Sequence, residues 1–234
     1  MGARFSWSRH FGDCFMRTMR CDLSALATAL LLACAGCQTA TQVQDARQAL
    51  LADNYEEALG RFQQAADKDP QYYYASGPFT EGIWTYVGRT QYATGKLPEA
   101  RRSLERALSI KKDDYVAHIY LGLTLARSGD RDAGLKELVT GMRGFHDWLD
   151  YLTFNTRYGI YWDPNREIRG QIEKDLDSID KKYFVWPQLI ANGEWLGKKI
   201  EQEAEIARRN EQYERQRDRD RNRFPPGVGV GIGF

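Results

Sequence analysis

The chain has 234 residues, enough for one medium domain or a small one with appendages, and its 42% apolar content can build a core. A formal net charge of +1 gives no whole-chain pull toward nucleic acid. The four cysteines, Cys14, Cys21, Cys34 and Cys37, all lie in the first 37 residues, which excludes a disulfide framework or a cysteine-ligated metal site from everything beyond.

Arg17 and Arg20 precede an uncharged stretch, residues 23–35, of apolar or small side chains. Thirteen such residues are too few to cross a bilayer core comfortably. A basic start, a short apolar middle and a small-residue end are the features of a secretory signal. The segment resembles a bacterial lipoprotein signal peptide, whose short lipobox ends at the cysteine that becomes lipidated. The resemblance implies that the thiol takes up a diacylglyceryl group and that a signal peptidase cuts just before it.

Two registers compete. Ala35-Gly36-Cys37 supplies the small residues, with Cys34 where leucine is usual; Leu31-Leu32-Ala33-Cys34 has the leucine but a bulky residue in its middle. Cys37 is the preferred lipidation site and Cys34 the alternative. An uncleaved signal anchor with idle cysteines is a third reading. A CxxC redox pair needs a folded βα context, which a leader does not supply. Met16 and Met19 are alternative starts to Met1. Residues 1–36 are thus expected to be the signal and 37–41 the lipid-anchored stem. Cleavage before Cys37 removes four basic and two acidic residues, taking the net charge from +1 to −1. Multiple acyl chains would hold such a protein durably, whereas one chain is marginal. In lipoproteins of this kind an aspartate after the cysteine resembles an inner-membrane retention mark. Gln38 stands there instead, which points to a periplasm-facing outer-membrane lipoprotein. No cofactor is expected beyond the covalent lipid at Cys37.

The stretch YEEALGRFQQAADKDP (55–70) matches LPEARRSLERALSIKK (97–112) and RDAGLKELVTGMRGFH (131–146). Small residues at Ala58, Ala100 and Gly134 set steps of 42 and 34. Ala100, Leu104 and Ala107 make one apolar stripe at i, i+4, i+7. Gly95 and Gly129 fall between helices, where a turn can use positive φ. One such hairpin cannot bury its own face, so the copies must stack. Trp84, Gly88, Gly95, Ala100, Leu104 and Ala107 in the second copy resemble the signature of the tetratricopeptide repeat, a helix–turn–helix unit of 34 residues. The first copy supplies Ala46, Ala58, Phe62, Ala65 and Pro70. The third supplies Leu121, Gly122, Gly129, Gly134 and Leu138, with Gly141 where alanine is usual. The expected fold is all-α: about three stacked repeats over 42–148, a helical cap over 149–207, and a charged helix end with a Gly-rich tail over 208–234. The eight extra residues between the first two copies fall in PQYYYASGPF (70–79), which reads as a loop. Its tyrosines either form a partner-binding lip or pack over the first hairpin.

Stacked hairpins make a concave groove lined by the first helix of each repeat. The resemblance places Val43, Arg47 and Leu50, Thr85, Arg89 and Tyr92, and Val116, Ile119 and Leu123 on that groove. Arg47 and Arg89 share a repeat position and could offer two planar forks to a carboxylate or phosphate, or each could pair with a local acid. The family's Asn/Lys carboxylate clamp is missing from the matching positions. An apolar, aromatic groove with two arginines suits an amphipathic helix or an extended segment.

From Phe145 an aromatic run, through Trp148, Tyr151, Phe154, Tyr158, Tyr161 and Trp162, is expected to cap the last repeat. Asp163-Pro164-Asn165 predicts a turn and N-cap for a helix over 166–179. A calcium loop there is rejected, because no glycine stands at its sixth position and no glutamate at its twelfth. Trp186-Pro187 opens another helix with a narrow apolar stripe of Trp195/Leu196, Ile200, Ala204 and Ala207. Beyond Ala207 the nearly all-charged RRNEQYERQRDRDRNR, with favourable pairs Glu205–Arg209 and Glu211–Arg215, is expected to project into solvent. Aspartates interrupt its arginines, which argues against nucleic acid. The terminal PPGVGVGIGF alternates apolar residues with glycine and reads as a Gly-rich tail or a strand for a partner's sheet edge.

His10, His118 and His146 are the only histidines, and two outside the leader make no metal site. No Gly-x-Ser-x-Gly, P-loop or dinucleotide fingerprint occurs. No catalytic residues are expected. The leading expectation is a lipid-anchored, periplasm-facing scaffold that binds another envelope protein in assembly or secretion. The alternative is a lipoprotein cofactor that regulates a cell-wall enzyme.

Overall fold

A computed structural model of the chain describes residues 39–223. The expected leader, both candidate lipidation sites Cys34 and Cys37, and the PPGVGVGIGF tail lie outside the described residues. Contacts divide the chain after Gln42, and only residues 39–42 of the first unit are described, as helix. The second unit is mostly helical: α1 (43–51), α2 (Tyr55–Lys68), a ribbon β1 (Tyr73–Ser76) and β2 (Phe79–Gly82), α3 (Ile83–Ala93), α4 (Leu97–Ile110), α5 (Tyr115–Arg127), α6 (Arg131–Asn155), a 3-10 turn (Gly159–Tyr161), α7 (Glu167–Asp180) and α8 (Trp186–Arg223).

The first six helices form three successive hairpins. Helices α2, α4 and α6 begin at 55, 97 and 131, the same steps of 42 and 34 that the small residues set. Gly95 (φ +76°) and Gly129 (φ +99°) make two of the turns, and Asp53 (φ +60°) stands at the same place in the first. Where α5 meets α6, a Cβ added to Gly122 would lie 2.7 Å from the carbonyl oxygen of Gly134, so only glycine allows that approach. Helix α5 is buried nearly all round, because α3, α4, α6 and α8 all pack on it.

Residues 73–82 differ from the expected loop. They form a two-stranded antiparallel ribbon, Tyr73 opposite Gly82 and Ser76 opposite Phe79, closed by Gly77 (φ +58°) and Pro78. Alternation explains it: Tyr74, Ser76, Phe79 and Glu81 point inward and Ala75 and Thr80 outward. Tyr74 packs edge-on to Tyr86. Phe79 meets Trp148 and Trp162 at centroid distances of 6.0 and 5.6 Å, joining the hairpins to the C-terminal third.

The aromatic run splits. Phe145, Trp148 and Trp162 pack together around Phe79, whereas Tyr151 and Phe154 face solvent, Phe154 at 81% exposure. Helix α7 packs on α6 and starts one residue later than expected. Asp163 caps it from five residues away, accepting from the backbone N–H groups of Ile168 and Arg169. Helix α8 does not leave the body at Ala207. Glu211 is buried, and farther along Asp218 accepts from Arg157 and Tyr158. Among the described residues no helix is long and apolar enough to cross a membrane.

Candidate functional site

The nine residues expected to line an open groove are all buried. Helix α8 reaches Arg47, Arg89, Tyr92 and Leu123 among them, so the groove is closed by the chain itself. The physical reason is the shape and polarity of one α8 face. A Cβ added to Gly193 would lie 2.8 Å from Leu123 Cδ2, and one added to Gly197 would lie 2.6 Å from Tyr120 Cε2. Two glycines four apart therefore let the α8 backbone settle onto α5. Leu189, Leu196, Ile200, Ala204 and Ala207 are buried along the same helix.

The paired arginines do converge, on one carboxylate of α8. Glu201 accepts from Arg47 Nε at 2.6 Å through Oε1 and from Arg89 Nη1 at 3.0 Å through Oε2. Arg89 Nη1 also reaches both oxygens of Glu81, at 3.1 and 3.2 Å, and its Nη2 donates to the Gly197 carbonyl at 2.8 Å. Arg47 donates to the Tyr86 hydroxyl and stacks on Tyr74, 3.7 Å from the ring centroid. Ser76 Oγ donates to the Ala204 carbonyl, so the ribbon also holds α8. None of these four charged side chains is more than 2% exposed. Charges so deep persist only when paired and hydrogen-bonded.

Burial is the largest influence on Glu81 and, with the nearby Glu201 and Asp114 charges, pushes its carboxyl up to about 8 against the pull of Arg89. Burial alone would lower the two arginines, but the acids and tyrosines around them hold both above their usual value. Asp114, raised by burial, accepts from the Thr85 hydroxyl at 2.7 Å and caps α5 through the Ala117 N–H.

Closure is incomplete at the α1–α2 turn, where a cavity of about 450 Å³ remains between that turn, α3, α5 and α8. Leu50 and Tyr92 border it, and Arg89 forms part of its wall. Tyr92 donates to Glu194 at 2.6 Å, and Lys198 pairs with Asp53 at 2.8 Å across the mouth. The remaining expected groove residues, Val43, Val116, Ile119 and Leu123, belong to the hydrophobic core.

Glu81 and Tyr86 were missed because nothing in their spacing marks them as partners of Arg89 and Arg47, 8 and 39 positions away. Gly193 and Gly197 did carry a signal, a small-residue pair at helical spacing beside the apolar stripe. Among the described residues no group of three or more histidine, cysteine or acidic side chains could hold a metal. His118 instead contacts Glu137 at 2.6 Å, and His146 contacts Glu173 at 3.1 Å. No family model, no curated protein and no solved structure matches the chain.

Proposed function

We propose that this chain is a lipid-tethered, tetratricopeptide-like scaffold of the bacterial envelope, acylated at Cys37 or Cys34, that holds another envelope protein during assembly or secretion. The three hairpins with matching helix starts support the repeat reading. The observation that carries the binding role is the seat of α8: the concave face takes up an amphipathic helix and fixes its register with two arginines on one glutamate. With that face occupied in cis, the partner meets the scaffold elsewhere. Tyr151, Phe154 and Ile160, exposed at 61, 81 and 59%, stand at the end of α6 and on the following turn. Exposed clusters of large apolar side chains are a mark of interaction surfaces. Binding there involves no covalent step.

A photo-crosslinking residue at position 154, in intact cells, tests the reading. A discrete protein adduct is expected at 154 and not at the exposed Arg102 on α4. It should disappear when Cys34→Ser and Cys37→Ser together prevent acylation. Equal labelling at both positions would reject it.

A further inference from the structure

The 450 Å³ cavity left beside α8 is large enough for a small ligand, since ligand sites begin at about 300 Å³. Its wall combines two features that limit what it can hold. Two accessible rings, Tyr55 and Trp195, supply flat apolar surface, backed by the buried Tyr92 and Tyr120. Every cation in the wall is matched by an acid of the same wall: Arg89 with Glu201 at 3.0 Å, Arg127 with Glu194 at 3.6 Å, Lys198 with Asp53 at 2.8 Å. Arg89 is 2% exposed, and its Nε–H has no hydrogen-bond partner.

A ligand anion would meet three carboxylates, and a ligand cation three cations, so net charge gains nothing from either sign. A purely apolar ligand would fill the space but, while leaving the sealed Arg89 unchanged, would strip water from the half-exposed Arg127–Glu194 and Lys198–Asp53 pairs without replacing its hydrogen bonds. What remains is a neutral molecule carrying both donors and acceptors. Its donors serve the Glu194 and Asp53 carboxylates, which accept several bonds each, and its acceptors serve Arg127 and Lys198. It also needs an apolar face to lie on the tyrosine and tryptophan rings. We infer that this cavity is a binding site for a neutral, polyhydroxylated ligand of one or two rings, a sugar or a short neutral glycan. One ring face lies on Tyr55 and Trp195, and hydroxyls bridge the Arg127–Glu194 and Lys198–Asp53 pairs at the mouth.

Titration calorimetry of the full chain in detergent, with glucose, N-acetylglucosamine and maltose as probes, tests this. At least one should bind with a Kd below about 1 mM. Trp195→Ala, at the half-exposed mouth, should weaken that binding by about tenfold or more. Ala93→Trp, at an exposed wall position, should abolish it by filling the space. Thermal melting of each variant verifies that the fold is kept, and Trp195→Ala alone suffices where Ala93→Trp does not fold. Failure of all three sugars at about 10 mM overturns the site. So does wild-type affinity in a folded variant. Tighter binding of benzoate than of any sugar overturns the neutral class.

Discussion

Glu201 brings its charge into a space that is 1% exposed, and two guanidiniums from different hairpins close on it. Removing one partner of such a buried set leaves uncompensated charge, which costs far more than loss of a surface pair. Glu201→Gln is expected to destabilise the protein by about 3 kcal/mol in urea unfolding. Glu205→Gln, whose contact with Arg47 is longer, at 3.8 Å, and whose other partner Arg208 stays partly in water, should cost less than about 1 kcal/mol. Glu81 sets a pH dependence. Its folded value is raised from an ordinary 4.5 to about 8, so the folded state holds that proton more tightly than the unfolded chain. The associated stability is complete below pH 4.5 and is lost as pH rises through about 8. Burial raises Asp114 and Asp175 in the same direction. Melting temperature should therefore fall between pH 5 and 9, and Glu81→Gln should flatten that fall.

At the scale of elements, α8 is the piece whose placement everything depends on. Its two glycines do the same work against α5 that Gly122 and Gly134 do between α5 and α6: they remove the side chain where backbones close in. A valine at Gly197 would press into the Tyr120 ring. Gly197→Val is expected to cost about 1–3 kcal/mol and to speed amide exchange along α8 more than along α4. Gly170 in α7 has open space where a Cβ would go, so Gly170→Ala should stabilise by about 0.5–1 kcal/mol in the same assay. The β-ribbon is the second placed element. Its inward residues, Tyr74, Ser76 and Glu81, each touch either the clamp or α8, so the insertion between the first two hairpins serves as the seat for the last helix.

For the second unit as a whole, the C-terminal helix completes the core that the hairpins begin. Without it, Leu123 and Tyr120 would face water, and Arg47 and Arg89 would lose Glu201. A chain ending at Val185 is expected to lose cooperative unfolding and to bind a hydrophobic dye. A synthetic peptide of residues 186–223 should restore the melting transition, and the same peptide carrying Glu201→Gln should do so only at higher concentration. Rescue by both peptides at equal concentration would show that packing alone, without the clamp, seats the helix.

Periodicity in the sequence was sufficient for the local part of this architecture. Ala58, Ala100 and Gly134 mark equivalent points in α2, α4 and α6 because a hairpin's close approach is set by residues a few positions apart. Gly95 and Gly129 mark the turns for the same reason, and Asp163 the start of α7. Arg47 and Arg89 were legible as a pair through their shared repeat position. What they bind was not. Glu201 lies 154 residues from Arg47 in the chain and reads locally as one more acid on a charged helix. Whether the groove stands open or closed depends on a long-range docking event, governed by two small glycines, an inward ribbon and the pairing of charges that no local pattern records. Only the tertiary structure brings those together, because desolvating Arg47 and Arg89 is favourable only where Glu201 is already in place.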